Sequence, residues 1–228
     1  MLDLGKTTDE KSNAWSVRES DHPVVLQFKI TLLGIAPPIW RRLVVPQTFT
    51  FWDLHVAIQD SMGWLDYHLH RFDAIDIDGN MTEIGIPDDE NNFDETNPGW
   101  EVVLPEVFLD PGDRALYTYD FGDNWGHEIL LEGIFLAEDG VTYPLCIDGS
   151  RACPPEDCGS ISGYYRLIEI LNDTKHDEHT EMVLWLKEHA KNYYPYDPEA
   201  FSASEVNFSD PIERWHTHFE LLEDPKGH

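Results

Sequence analysis

The chain has 228 residues, enough for one sizeable domain with its own core. Acidic residues outnumber basic ones 44 to 15, a formal net charge of −29, and such a surface repels phosphate backbones and argues against nucleic-acid binding. No run reaches the roughly 20 apolar residues of a membrane span, and the first residues lack the pattern of a signal peptide, so a soluble cytoplasmic protein is expected.

Residues 1–22 are polar and weakly patterned and read as a tail. The domain is expected over 23–222, with 223–228 as a C-terminal tail. Residues 24–33 alternate, with Leu26, Phe28, Ile30 and Leu32 on one face, as a half-buried strand requires. Pro37-Pro38 breaks the run, and 39–45 reads as a partner strand. Thr50 and Asp53 form a capping-box start to a helix whose stripe is Leu54, Ala57, Ile58 and Met62, ended by Gly63. Period-two patterning returns over 67–77, whereas 80–100 reads as an acidic loop insertion. Segments 114–121 and 125–137 form a hairpin through Gly122-Asp123-Asn124, followed by a short strand at 143–147. Helices are expected at about 163–171, 178–190 and 212–222. This order predicts a single α+β domain, a mostly antiparallel sheet packed against a few helices.

The three cysteines fall close together, as Cys146-x6-Cys153-Pro154-Pro155-Glu156-Asp157-Cys158. An odd count without an export signal argues against a disulfide framework. Zinc takes four thiolate or imidazole ligands, so Cys146, Cys153 and Cys158 with His127 make a candidate structural clip, and His68 or His70 are second choices for the fourth position. Thiols packed as small hydrophobes are the competing reading.

A second constellation is polar: His68, His70, Asp120 and Asp123, with His55 and His127 near by in pattern. These are the residue types of an open, hydrolytic metal centre. Asp120-Phe121-Gly122-Asp123 also fits plain turn chemistry, and His127, alternating with Trp125, Ile129 and Leu131, also fits a core histidine. His176 and His179 fit a solvated helix start. Trp40, Trp64, Tyr117, Tyr119 and Trp125 are candidates for an aromatic groove that takes a protein or peptide partner.

Five motifs in one order, Pro37-Pro38-Ile39-Trp40-Arg41-Arg42, Asp53-Leu54-His55, Met62-Gly63-Trp64 with His68-Leu69-His70, Tyr119-Asp120-Phe121-Gly122-Asp123 with Trp125 and His127, and Cys153-Pro154-Pro155-Glu156-Asp157-Cys158-Gly159, resemble the plasmid pRiA4b ORF-3-like family. That family is also labelled an insertion-element passenger, TnpR-like protein. The resemblance runs from about residue 24 to 207 and implies an α+β domain carried by plasmids and mobile elements. It does not bring recombinase chemistry with it. Such an enzyme clusters arginines around a scissile phosphate, and here eight arginines are spread from Arg18 to Arg214 in a negative field. The expected function is an acidic accessory or interaction domain, with zinc in the cysteine loop. A metal-dependent hydrolase built on the histidine and aspartate cluster is the alternative.

Overall fold

The computed structural model describes residues 23–87 and 96–223. The expected tail at 1–22 and residues 224–228 lie outside the described residues. Among the described residues eight strands form one sheet in the order β5-β4-β3-β6-β7-β1-β2-β8. In chain order they are β1 Val24–Leu32, β2 Ile39–Pro46, β3 His70–Ile75, β4 Met81–Gly85, β5 Asn97–Pro98, β6 Arg114–Tyr119, β7 Trp125–Leu136 and β8 Leu145–Ser150. All pairings are antiparallel except β4 with β5. Among the described residues four helices complete the α+β domain: α1 Phe51–Met62, α2 Ser160–Asn172, α3 His179–Glu188 and α4 Pro211–Glu223.

The alternation of β1 sets the inner face. Leu26, Phe28, Ile30 and Leu32 are buried and register against β7, with Ile30 opposite Ile129 and Leu32 opposite His127. The ladder continues outward, placing Tyr117 opposite His127 and Tyr119 opposite Trp125, then Phe72 opposite Tyr117 and His70 opposite Tyr119. One sheet face thus carries two adjacent rows of aromatic and histidine side chains.

Helix α1 lies over this face. It starts as its sequence predicts: Thr50 accepts the Asp53 amide, Asp53 accepts the Thr50 amide, and Gly63 closes the helix in the left-handed region at φ 84°. Its buried residues run almost all the way round, including His55, Gln59 and Ser61, because α4 packs on the side away from the sheet.

Of the segment expected as a loop over 80–100, the described ends contribute β4 and the two-residue β5, and its acidic centre, 88–95, lies outside the described residues. Only Ile84 and Gly85 of β4 are buried, so this near-edge strand carries little hydrophobic alternation to announce it. The strand expected over 67–77 is shortened to β3, because Tyr67 and Leu69 turn outward before the ladder begins. No helix among the described residues is long and apolar enough to cross a membrane.

Candidate functional site

The cysteine loop is held in place by its acid. Glu156 is buried, with Oε2 accepting the Leu65 amide at 2.7 Å and Oε1 accepting the Tyr119 hydroxyl. Trp64 stacks on Tyr119 with ring centroids 5.0 Å apart and donates its indole N–H to the Pro154 carbonyl at 2.9 Å. These bonds clamp residues 153–158 onto the end of α1 and the tip of β6. Burial and the bond to Glu156 push the Tyr119 phenol far above its usual range, so it stays neutral, donating to Glu156 and accepting the Tyr67 amide at 3.0 Å.

The thiols are free and packed against different neighbours. Cys153 Sγ lies 3.3 Å from Met62 Sδ, and burial pushes its pKa up to about 12. Cys146 Sγ points at the Asp148 carbonyl at 3.5 Å. Cys158 is half-buried, its thiol raised by desolvation and by the charge of Asp123. All three shifts favour the protonated thiol.

His127 is fully buried between β6 and the Trp64 indole, whose ring stands nearly perpendicular 5.4 Å away. Its Nδ1 meets the Tyr117 carbonyl at 3.4 Å, and its Nε2 has no partner among the described residues. Desolvation holds its pKa down at about 4, so the imidazole is neutral at physiological pH. It fills a core position, as its alternation with Trp125, Ile129 and Leu131 allows.

Among the described residues one group of histidine, cysteine or carboxylate side chains comes within ligand distance: His68, Asp120 and Asp157. His68 Nε2 lies 2.9 Å from Asp157 Oδ1 and 3.7 Å from Asp120 Oδ2. Asp120 is buried, and its Oδ1 caps the hairpin turn by accepting the Gly122 amide at 2.8 Å and the Asp123 amide at 3.2 Å. That turn geometry leaves Oδ2 toward His68. A cleft of about 290 Å³ opens beside Asp157, lined also by Cys158, Glu178 and Trp185. Asp157 lies in the cysteine loop, where the spacing of the thiols does not mark it as a ligand.

The hydrolytic centre does not assemble. His68 and Asp120 meet, but Asp123 Oδ2 instead accepts the Gly159 amide at 3.1 Å, and His70 and His127 are sealed on the inner face of the sheet. The aromatic groove is likewise corrected. Trp64, Tyr117, Tyr119 and Trp125 are core residues, since ladder alternation and the α1 terminus turn them inward. Trp40, half-buried, sits on the opposite face beneath Lys29 and Arg42, each 5.0 Å from its ring.

Sequence reading missed a buried polar chain under α1. Asp66 accepts from His55 Nε2 at 2.9 Å, His55 Nδ1 meets the Tyr117 hydroxyl at 2.8 Å, and Gln59 Nε2 donates to that hydroxyl at 2.8 Å. Arg214 of α4 closes it, reaching Asp66 at 3.3 Å and Asp60 at 2.5 Å. With His55 fully buried, this chain has no open face for a substrate.

Comparison with known proteins agrees with the sequence motifs. The profile of the plasmid pRiA4b ORF-3-like protein family matches residues 24–205. The uncharacterized protein y4hQ of Sinorhizobium fredii is 35% identical over 184 residues, covering 80% of this chain and 89% of the relative. The crystal structure of MM3350 from Methanosarcina mazei, a protein of unknown function, superposes with a TM-score of 0.72 at 40% identity, covering 82% of this chain and 99% of that one. With the motifs, the profile and the fold in agreement, this chain belongs to the plasmid pRiA4b ORF-3-like protein family.

Proposed function

We propose that this chain is a binding domain rather than an enzyme, and that His68, Asp120 and Asp157 seat a divalent cation on its surface. One observation carries the reading. His55, His127, Tyr117, Tyr119 and Cys153, groups suited to acid–base or nucleophilic work, are buried in the core, while His68 and Asp157 reach solvent beside the buried Asp120. One imidazole and two carboxylates suit zinc or manganese and leave coordination positions for a further ligand. The charge of −29 draws cations to the surface and suits a partner that presents basic residues.

Calorimetric titration of tag-free protein with zinc chloride and manganese chloride tests this. One cation per chain is expected, with binding lost in His68→Ala and kept in Cys153→Ser/Cys158→Ser. Loss in the cysteine variant alone would move the metal to the cysteine loop. No binding by the wild type would sink the cation site.

A further inference from the structure

Seven arginines lie among the described residues, and six of them hold a carboxylate. Arg42 pairs with Glu132, Arg71 with Glu83, Arg114 with Glu128, Arg151 with Glu199, Arg166 with Glu178 and Arg214 with Asp60. Arg41 is the exception, although it is the most deeply buried of them, at 2% exposure, in a protein where carboxylates outnumber cations about threefold. Its Nε donates to the Ser61 carbonyl at 2.8 Å, and one terminal nitrogen donates to the carbonyls of Trp40 at 2.9 Å and Ser150 at 3.1 Å. The other terminal nitrogen makes no hydrogen bond among the described residues. Three neutral acceptors hold the guanidinium in place and leave its charge uncompensated. A buried charge without a counter-charge is costly, so a missing anion is the physical expectation.

Arg41 lines a cavity of about 480 Å³ between the end of α1, the loop at 152–154 and the segment at 191–207. Phe201 covers one face of the guanidinium, 3.9 Å from its ring centroid. Lys191, on the same cavity, rests its ammonium on the Gly63 carbonyl and has no carboxylate partner among the described residues. Met62, Pro154 and Val206 supply apolar wall. Acidic groups stand there too: Asp60 is taken up by Arg214 and Ser209, and Asp197 and Glu205 lie along the lining.

We infer that this cavity binds a small organic carboxylate, its carboxyl group between Arg41 and Lys191 and its apolar body against Met62, Pro154 and Phe201. The planar fork of an arginine suits a carboxylate or a phosphate. A monoanion is selected over phosphate because Asp197, Glu205 and the whole −29 field disfavour a second negative charge. The site is distinct from the His68 group and stands whether or not a cation binds there.

The full chain is titrated with benzoate, acetate and inorganic phosphate at low ionic strength, following the arginine side-chain N–H resonances by NMR. Saturable benzoate binding is expected, one per chain, shifting one buried arginine signal that is absent from Arg41→Lys. Acetate should bind more weakly and phosphate not at all. Lys191→Gln, an exposed substitution that leaves the core intact, should weaken benzoate about tenfold, the loss of one charge-assisted hydrogen bond. An unmoved arginine signal, or benzoate affinity unchanged in Lys191→Gln, would overturn the site. Phosphate binding in place of benzoate would overturn the carboxylate assignment.

Discussion

The imidazoles of His55 and His70 lie face to face, with ring centroids 3.5 Å apart and planes 8° from parallel. One belongs to α1 and the other to β3, so the stack fastens the helix to the sheet. It is also directional. His55 spends both ring nitrogens in the plane of its ring, on Tyr117 and Asp66, which leaves only its face for His70.

His55→Ala should therefore do more than open a cavity. It strips a partner from the Asp66 carboxylate and from the Tyr117 hydroxyl, both buried. A loss of about 4 kcal/mol is expected in urea unfolding, above the roughly 2 kcal/mol of a simple packing defect. A loss under 1 kcal/mol would show that Gln59 and Arg214 satisfy the chain without it.

Acid should weaken the fold through His127. Its pKa falls from 6.5 to about 4 on folding, so between these values the unfolded chain takes up a proton that the native imidazole refuses. The stabilisation is complete above pH 6.5 and is lost as pH drops toward 4, to a total of about 3 kcal/mol. Arg41 opposes protonation in the same direction. Unfolding free energies at pH 7 and pH 4.5 should differ by less in His127→Phe than in the wild type. An equal slope in both proteins would assign the acid sensitivity to other groups.

Arg214 latches the C-terminal helix. Its guanidinium meets Asp60 and Asp66, whose side chains are 9% and 2% exposed, and Ser209 adds a third bond at 2.7 Å. Arg214→Ala removes the guanidinium from two largely buried acids, Asp60 and Asp66, and should destabilise the protein by about 3 kcal/mol. Amide exchange should rise first in α4. Unchanged protection of α4 would show that the Trp52 indole bond to the Pro211 carbonyl, at 2.9 Å, and the ring contacts of Trp100 with Trp215 and Phe219 hold the helix without it.

Gly163 sits inside α2, where alanine is normally favoured by about 1 kcal/mol. Here a Cβ would lie 1.9 Å from the Cys158 carbonyl oxygen, so the helix can approach the cysteine loop only with glycine at this position. Gly163→Ala should lower stability by more than about 2 kcal/mol by forcing the two apart. A melting temperature at or above that of the wild type would contradict this contact.

Local chemistry was legible wherever it was local. The alternation in β1, the Thr50–Asp53 box with Gly63, and the turn between β6 and β7 each declare an element within a dozen residues, and the structure has all three. The site residues were less legible because their partners are distant in sequence. Asp66 and Arg214 are 148 residues apart, and Tyr119 and Glu156 are 37 apart. The cysteines drew attention through their clustering, yet the residue that fastens their loop is Glu156, whose buried role depends on Tyr119 and Leu65. Period-two patterning placed His127 correctly on the face of Trp125 and Ile129, and that same placement removes it from solvent and from the cysteines.

The sheet ends at β5, only two residues long, the second of them Pro98, which has no amide hydrogen to offer. An incoming strand would find only two residues of ladder on β5, one of them without an amide hydrogen. At β5 the sheet is thereby guarded against the edge-to-edge stacking that seeds fibrils. A protein that meets its ligands here must recognise them through side chains, not by lending its backbone as a template.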